Sequence, residues 1–535
     1  MFSWLSGKSN TITSAAAIVA LFSILSRLVG FVRDRILAGL FGASDVLDVY
    51  FAAFRIPDLM FQMIVVGALS ASFIPIFTKY YHKKRIKKAW KFTNTMLTLV
   101  AIGFGVVTLI MMVAADPLAA MVAPGFSQAK LDMVADMSRV MFLAQFLLSV
   151  SMIYGSVLQG AKRFFIYSLA PIFYNVGIIV GAVWIATEEW PIGLAWGVVI
   201  GAALHMFTQW MGARALGHRF KFSLVLKDKD VIYTLKHMMP RTLGLAVGQV
   251  NIFLMTAIAS TLAVGSVTVL QFAYNLNFFA VGIIGVSYAI AAYPTLCELA
   301  NDKKKKAFVQ TISSTARQML FFLVPATVLF IMLRAQVVRL VVGAGQFDWE
   351  ATILTANTLG LFAMTLTIQA LIYLLVRVYF SRGQTVAPFI IGTFAAVFHG
   401  FAAVLLTQEF GVIGLGAAYS IAVVIQFVFL WGWLRVKMGS LGELHIAKSL
   451  LVFVAAAACC GVVTQIVKGV VVEWITLDTF VGVFAQLLVA GGAGLLVYVS
   501  IAYLFKSEEL LNIVSGLRRK IMRKNHPEEA ILEQN

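Results

Sequence analysis

Residues 26–75 read SRLVGFVRDRILAGLFGASDVLDVYFAAFRIPDLMFQMIVVGALSASFIP, two apolar segments that contain charged side chains. The charged residues are Arg27, Arg33, Asp34, Arg35, Asp48, Arg55 and Asp58. A charge at bilayer depth costs at least a few kcal/mol unless it is paired or lines a water-filled cavity. Residues 26–75 are therefore the candidate working site of a protein that crosses a membrane.

The composition places the whole chain in the membrane class. Its 535 residues are 61% hydrophobic and 12% charged, and the mean hydropathy is +0.90. A helix needs roughly 20 apolar residues to cross a hydrocarbon core about 30 Å thick. We therefore predict an all-α polytopic membrane protein with about fourteen transmembrane helices. The predicted spans lie near 11–38, 46–78, 92–115, 131–160, 165–186, 192–213, 233–262, 267–298, 308–340, 352–380, 386–406, 411–434, 447–468 and 478–504.

The charge pattern predicts the topology. Every second connection between spans is basic, near 79–91, 162–163, 219–229, 303–306, 382 and 435–437, and so is the tail. The connections between them carry acidic residues near 45, 116, 188–189, 348–350 and 409. The positive-inside rule then predicts that both termini are cytoplasmic. The net charge of +18 is explained by this distribution, and we expect no nucleic-acid partner.

Sites for metals, cofactors and covalent catalysis are not indicated. Cys297, Cys459 and Cys460 lie in apolar helical segments without metal-ligand spacing, and His237 and His399 are isolated from other ligands. The chain has no GxxxxGK[ST] phosphate loop. We expect a protein that is not an enzyme, with no catalytic residue, no metal and no cofactor.

An internal repeat predicts two lobes. FIPIFTKYYHKKRIKKAWKF, from Phe73, resembles AYPTLCELANDKKKKAFVQ, from Ala292, at an offset of 218 or 219 residues. This offset spans six helices, so both halves have the same orientation, as in parallel-repeat transporters with a cavity between lobes. We predict an N-terminal lobe over 1–225, a C-terminal lobe over 226–440, two additional helices over 441–505 and a cytoplasmic basic amphipathic tail over 506–535.

Several motifs resemble one known family. They are SRLVGFVRD (26–34), DVYFAAFRIPDLM (48–60), GALSASFIPIFTKY (67–80), APGF (123–126), GQFDWEAT (345–352) and LVRVYFSRGQTVAP (375–388). In order and spacing they resemble the MurJ/MviN-type lipid II flippases of the multidrug/oligosaccharidyl-lipid/polysaccharide exporter superfamily. The resemblance implies two six-helix lobes around a central cavity, with two further C-terminal helices that form a hydrophobic groove. It also implies translocation of the undecaprenyl-pyrophosphate-linked peptidoglycan precursor across the cytoplasmic membrane by alternating access.

The charged residues suit such a cargo, because a guanidinium holds phosphate oxygens bidentately and keeps its charge in a low-dielectric cavity. The candidate substrate-binding residues are Arg27, Arg33, Arg55 and Arg241. The candidate cavity carboxylates, which could also couple transport to an ion, are Asp34, Asp48 and Asp58. Arg27, Arg33, Asp34, Asp48 and Arg55 match charged positions of the family.

Interpretations without a role in transport stay open for several of these residues. Arg33 and Arg35 could reach outward to the membrane interface, and Arg241 could lie at the membrane surface. Arg27, Asp48 and Arg55 could form structural ion pairs. The chain also departs from the family pattern where basic or acidic residues are usual, at Phe61, Gln62, Val66 and the Tyr274-Asn275-Leu276 triplet.

The sequence therefore predicts a lipid II flippase of the cytoplasmic membrane. Its expected partners are the lipid-linked precursor, membrane lipids and other cell-wall synthesis proteins, and we expect a monomer. Two other classes remain open: an exporter of another polyprenyl-linked saccharide or an amphipathic small molecule, and a non-transporting membrane scaffold. The arginines argue against the drug exporter, since such a cavity is expected to be apolar and aromatic, and a scaffold has no reason to keep charges at depth.

Overall fold

The computed structural model describes residues 12–62, 69–187, 189–512 and 514–515, and it describes side chains in these ranges except at 12–17, 69–72 and 237–248. These ranges are helical and contain no strand. The helices are α1 (Ile12–Phe41), α2 (Asp45–Ala53), α3 (Arg55–Phe61), α4 (Leu69–His82), α5 (Ile86–Val113), α6 (Ala115–Val122), α7 (Gln128–Gly160), α8 (Phe164–Val180), α9 (Gly193–Ala215), α10 (Lys229–Ala259), α11 (Ser266–Ala280), α12 (Ser287–Asn301), α13 (Lys305–Met332), α14 (Arg334–Val341), α15 (Trp349–Met364), α16 (Leu366–Ser381), α17 (Val386–Met438), α18 (Glu443–Trp474) and α19 (Phe480–Leu504).

The helix lengths agree with the predicted membrane class. Among the described residues, nine helices are long and apolar enough to cross a membrane, and the bent pair α15–α16 would make ten. The 53 residues of α17 would measure about 80 Å at ~1.5 Å per residue, more than twice the ~30 Å hydrocarbon core. Gly411 breaks α17 with a φ of 54° and a ψ of −138°, close to the predicted boundary between two spans. The order of the helices is consistent with the fourteen predicted spans.

The chain divides into two compact units. The first contains Met1–Phe272, Val341–Leu354 and His399–Leu415, and the second contains Ala273–Leu340, Thr355–Phe398 and Gly416–Asn535. The domain boundaries drawn from the repeat stay a prediction. Most of the predicted C-terminal tail, residues 516–535, lies outside the described residues.

In the first unit, α9 packs against both α7 and α8, and α1 packs against α8. Glycines make the contact of α8 with α9 close: a Cβ on Gly177 would lie 2.2 Å from the Cα of Gly201, and one on Gly181 would lie 2.3 Å from the Cα of Gly197. Small residues at such interfaces let two membrane helices approach closely, so that their backbones pack by van der Waals contact. Helix α8 also packs against α1, which carries four of the charged residues of the predicted site, Arg27, Arg33, Asp34 and Arg35.

In the second unit, α18 packs against both α13 and α19. Phe321 of α13 lies between Phe453 of α18 and Tyr498 of α19, with ring centroids 5.6 Å apart in both pairs. The Tyr498 hydroxyl donates a hydrogen bond of 2.8 Å to the Phe321 carbonyl. The two additional C-terminal helices are thus joined to α13 through buried aromatic rings and one buried hydrogen bond.

Candidate functional site

Arg33 and Asp34 form an ion pair on α1. The Arg33 guanidinium donates from Nε and Nη2 to Asp34 Oδ1 at 3.0 and 2.7 Å. Its Nη1 donates to Asn175 Oδ1 of α8 at 2.9 Å. The Asn175 amide in turn donates to the Pro171 carbonyl of α8 at 3.1 Å and to the Ser26 carbonyl of α1 at 3.4 Å. Arg33 therefore points toward α8 and does not reach outward to the interface.

More polar groups surround this pair. The Arg33 charge acts on Tyr50 of α2 and Tyr174 of α8, and Tyr174 is also near the Asp58 carboxylate of α3. The Arg33 side chain is 22% exposed, whereas that of Asp34 is 5% exposed. The first unit thus gathers a cation, two carboxylates and two phenols from α1, α2, α3 and α8, and the cation keeps part of its surface accessible.

Asp48 has a different place in the structure. Its Oδ2 accepts a hydrogen bond from the Gly265 amide at 2.7 Å, and its Oδ1 accepts from the Thr268 amide at 2.8 Å and the Thr268 hydroxyl at 2.7 Å. The first amides of a helix have no partner within that helix, and a carboxylate near them is also favoured by the helix dipole. Asp48 of α2 therefore caps the N-terminus of α11, more than 200 residues away in sequence.

Arg55 contacts the same helix. Its Nη2 donates to Gln271 Oε1, three positions after Thr268 on α11. The rings of Phe51 and Phe272, on the same two helices as Asp48 and Thr268, meet edge to face at 5.4 Å. Helix α2 ends at Ala53 and α3 begins at Arg55, with Phe54 between them in the right-handed helical conformation. Asp48 and Arg55 thus hold one face of α11.

Two close backbone contacts involve the end of α1 and the turn before α2. The Gln346 amide donates to the Gly39 carbonyl of α1 at 2.9 Å. Gly345 has a φ of +56°, and a Cβ there would lie 2.2 Å from the same carbonyl oxygen. Gly265, with a φ of +86°, approaches the Ala43 carbonyl in a similar way, since its Cβ would lie 2.6 Å from that oxygen. The end of α1 and the start of α2 thus pack backbone to backbone against the turns before α11 and α15.

The structure gives fewer contacts for the remaining residues of the predicted site. Arg27 and Arg35 are partly buried on α1. Asp58 accepts a hydrogen bond from Gln62 and is near Arg55. Arg241 lies in α10, but its side chain is outside the described residues, so its predicted role stays a prediction.

Sequence reasoning missed three partners of the charges, Asn175, Thr268 and Gln271. Each is a neutral polar residue in an apolar helix, a signal that is visible in the sequence but does not identify the contact. Within the part of the chain that the structure describes, no group of three or more potential metal ligands is found.

Comparison with known proteins places the chain in a family. The family model described as lipid II flippase MurJ matches residues 37–485. The chain belongs to the lipid II flippase MurJ family. A protein of Thermotoga maritima named "Probable lipid II flippase MurJ" is 28% identical over 501 residues, which cover 92% of this chain and 97% of the relative. A protein of the same name from Buchnera aphidicola subsp. Baizongia pistaciae is 27% identical over 417 residues, covering 77% and 81% of the two chains.

Solved structures show the same fold. A lipid II flippase MurJ in an inward closed conformation has a TM-score of 0.72 at 22% identity, covering 91% of this chain and 98% of that structure. A multidrug resistance MATE transporter of the MOP superfamily, in an inward-facing conformation, has a TM-score of 0.65 at 16% identity, covering 78% and 96%. The resemblance identified from the motifs is therefore confirmed for the MurJ family, and the all-helical transporter fold is confirmed with it.

Proposed function

We propose that this protein translocates lipid II from the inner to the outer leaflet of the cytoplasmic membrane by alternating access. The MurJ family match over residues 37–485 is the observation that carries the proposal. Transport of this kind moves the cargo without making or breaking covalent bonds. The partners named by this proposal are the lipid-linked precursor and the surrounding membrane lipids.

The charged cluster around Arg33 is the proposed contact for the pyrophosphate. Arg33 is held by Asp34 and Asn175, and its side chain is 22% exposed. A planar guanidinium pairs with two phosphate oxygens at once, and a group fixed before binding loses less conformational entropy on binding. Asp34 competes with the phosphate for Arg33, so it keeps the binding weak enough for release. Arg27 and Arg55 are proposed as further cations along the path of the head group.

Asp48 serves alternating access in a different way. Its three hydrogen bonds join α2 to the start of α11. The charge pattern predicts that this end of both helices faces away from the cytoplasm. Because α2 and α11 belong to the two halves of the sequence repeat, we propose that this contact opens when the cavity opens outward and forms again when it closes.

The test is complementation of a host depleted of its own lipid II flippase. We expect the native protein to restore growth and to prevent the accumulation of lipid II in the inner leaflet, measured by its accessibility from the outer face of spheroplasts. Arg33→Ala should insert and accumulate normally yet fail in both measurements. Lys305→Ala is the control, because Lys305 is one of four adjacent exposed lysines at the start of α13.

Full complementation by Arg33→Ala would show that transport does not require a contact between this cluster and the cargo. Failure of the native protein, with a different lipid-linked saccharide moved in vesicles, would instead support the exporter of another polyprenyl-linked saccharide. The orientation is part of the proposal, with both termini in the cytoplasm, and so are a monomeric state and association with other cell-wall synthesis proteins.

A further inference from the structure

The connection between α9 and α10, residues 216–228, is fixed along its length to the first unit. At one end His218 is buried, where its Nε2 lies 2.8 Å from Asn94 Oδ1 of α5 and its ring meets the ring of Trp90 at 5.2 Å. In the middle, Ser223 bonds to α5 through Thr95 at 3.0 Å and through Thr98 at 3.3 Å. We call residues 216–228 the strap.

The other end of the strap is also pinned. The Asp228 side chain accepts a hydrogen bond of 2.9 Å from the Asp230 amide and so caps α10. The Tyr80 hydroxyl of α4 donates to the Asp230 carboxylate. With His218, Ser223 and Asp228 each held, the strap has a defined inner face and a defined outer face.

The outer face of the strap is apolar. Phe220, Phe222, Leu224 and Leu226 are 52%, 71%, 48% and 54% exposed. Ser223, which lies between Phe222 and Leu224, is half-buried and bonds to Thr95 of α5, whereas its two neighbours are exposed. A water-facing loop seldom exposes four large apolar side chains at alternate positions. We therefore expect this face to contact an apolar phase.

Basic residues alternate with these apolar residues, and two tryptophans lie near the start of the strap. Arg219, Lys221 and Lys227 alternate with the apolar residues, and residues 216–227 include no Asp or Glu. The guanidinium of Arg214 lies over the ring of Trp210 at 5.2 Å, and Trp90 contacts the buried start of the strap. Tryptophans collect at the level of the lipid head groups, and clusters of bases near a membrane attract anionic lipid.

We propose that the strap lies in the inner-leaflet interface, with Phe220, Phe222, Leu224 and Leu226 among the acyl chains and its bases on anionic phospholipid head groups. This surface is separate from the cargo cluster on α1 and α8. It anchors the start of α10 to the membrane, so the connection between the two halves of the sequence stays at a fixed depth.

The depth of the strap can be measured by fluorescence in liposomes. In a background with Cys297, Cys459 and Cys460 changed to Ala, Phe222→Cys is labelled with an environment-sensitive NBD dye. Lys304→Cys is the matched control, because it lies in another basic loop and its side chain is 63% exposed. We expect blue-shifted emission at position 222, quenching by doxyl-labelled lipid and no quenching by iodide. At position 304 we expect quenching by iodide and not by doxyl lipid.

Two results would overturn the proposal. Iodide quenching at position 222 equal to that at 304 would mean that the strap faces water. Protection of position 222 from both quenchers would mean that protein, and not lipid, covers it. Monodisperse elution of each labelled variant in detergent shows that the fold is intact.

The contribution of the basic residues to the binding of the strap to the membrane is tested separately. Replacing zwitterionic lipid by phosphatidylglycerol should increase doxyl quenching at position 222, because more anionic head groups meet the strap bases. The double substitution Arg219→Gln and Lys221→Gln should abolish this increase. An equal increase in the double variant would refute the role of these bases.

Discussion

Replacing Asp48 with Ala should release the start of α11. The change removes the acceptor of three hydrogen bonds and leaves the amides of Gly265 and Thr268 buried without that partner. A buried unsatisfied donor costs about 1–3 kcal/mol, and the loss of an N-cap costs about 0.5–2 kcal/mol. Removing a buried carboxylate also relieves its desolvation cost, so these contributions do not simply add. We expect a net destabilisation of the contact by about 2–4 kcal/mol, which corresponds to a factor of about 30 to 1000 in its opening equilibrium.

Hydrogen–deuterium exchange with mass spectrometry measures this opening directly. Amides that exchange through local opening report the free energy of that opening, so peptides covering 262–272 should lose protection by this factor in Asp48→Ala. The protection of these peptides in Asp48→Asn should lie between that of the native protein and that of Asp48→Ala. The amide oxygen of the substituted side chain can still accept from Thr268, while its NH₂ group faces the Gly265 amide. The control is Asp45→Ala, which removes a partly exposed ion pair to Lys130 that is worth at most about 1 kcal/mol. Unchanged protection in Asp48→Ala, or an equal loss in Asp45→Ala, would refute the capping role.

Three further predictions use other contacts. Gly177→Ala should lower the melting temperature, because its Cβ would lie 2.2 Å from the Cα of Gly201, whereas Gly103→Ala, with nothing within 4 Å, should be neutral; equal melting temperatures would contradict the close packing of α8 on α9. Arg33→Lys should retain part of the complementation activity that Arg33→Ala loses, because an ammonium supplies the charge but not the planar fork; activity equal to the native protein would argue against bidentate binding. Burial lowers the pKa of His218 to about 4, so its stabilising effect is complete above its ordinary pKa of 6.5 and is lost as the pH falls toward 4. Exchange of the strap amides, corrected for intrinsic rates, should therefore be faster at pH 5 than at pH 7, and a His218→Asn variant should show a smaller change.

Local properties of the sequence determine the class of the protein and the order of its helices. Whether a segment of about 20 residues enters a bilayer depends on its own apolar content, so the spans could be predicted without any knowledge of contacts. The same holds for the break near Gly411, where the sequence predicts a boundary between spans and the structure has a residue in the left-handed region of φ. The motifs between residues 26 and 388 likewise sufficed to indicate the MurJ family.

The partners of the charges are decided only by the tertiary structure. Spacing places Arg27 and Asp34 on one face of α1, yet Asp34 pairs with the adjacent Arg33 because Asn175 of α8 holds the guanidinium there. Asp48 has the same charge and a similar apolar setting in sequence, but it caps a helix that begins at Ser266. A carboxylate can accept from a guanidinium or from backbone amides, and the choice depends on which donors the packing of distant helices brings within hydrogen-bond distance. That packing is a long-range property of the fold, whereas hydropathy and charge alternation are read from neighbouring residues.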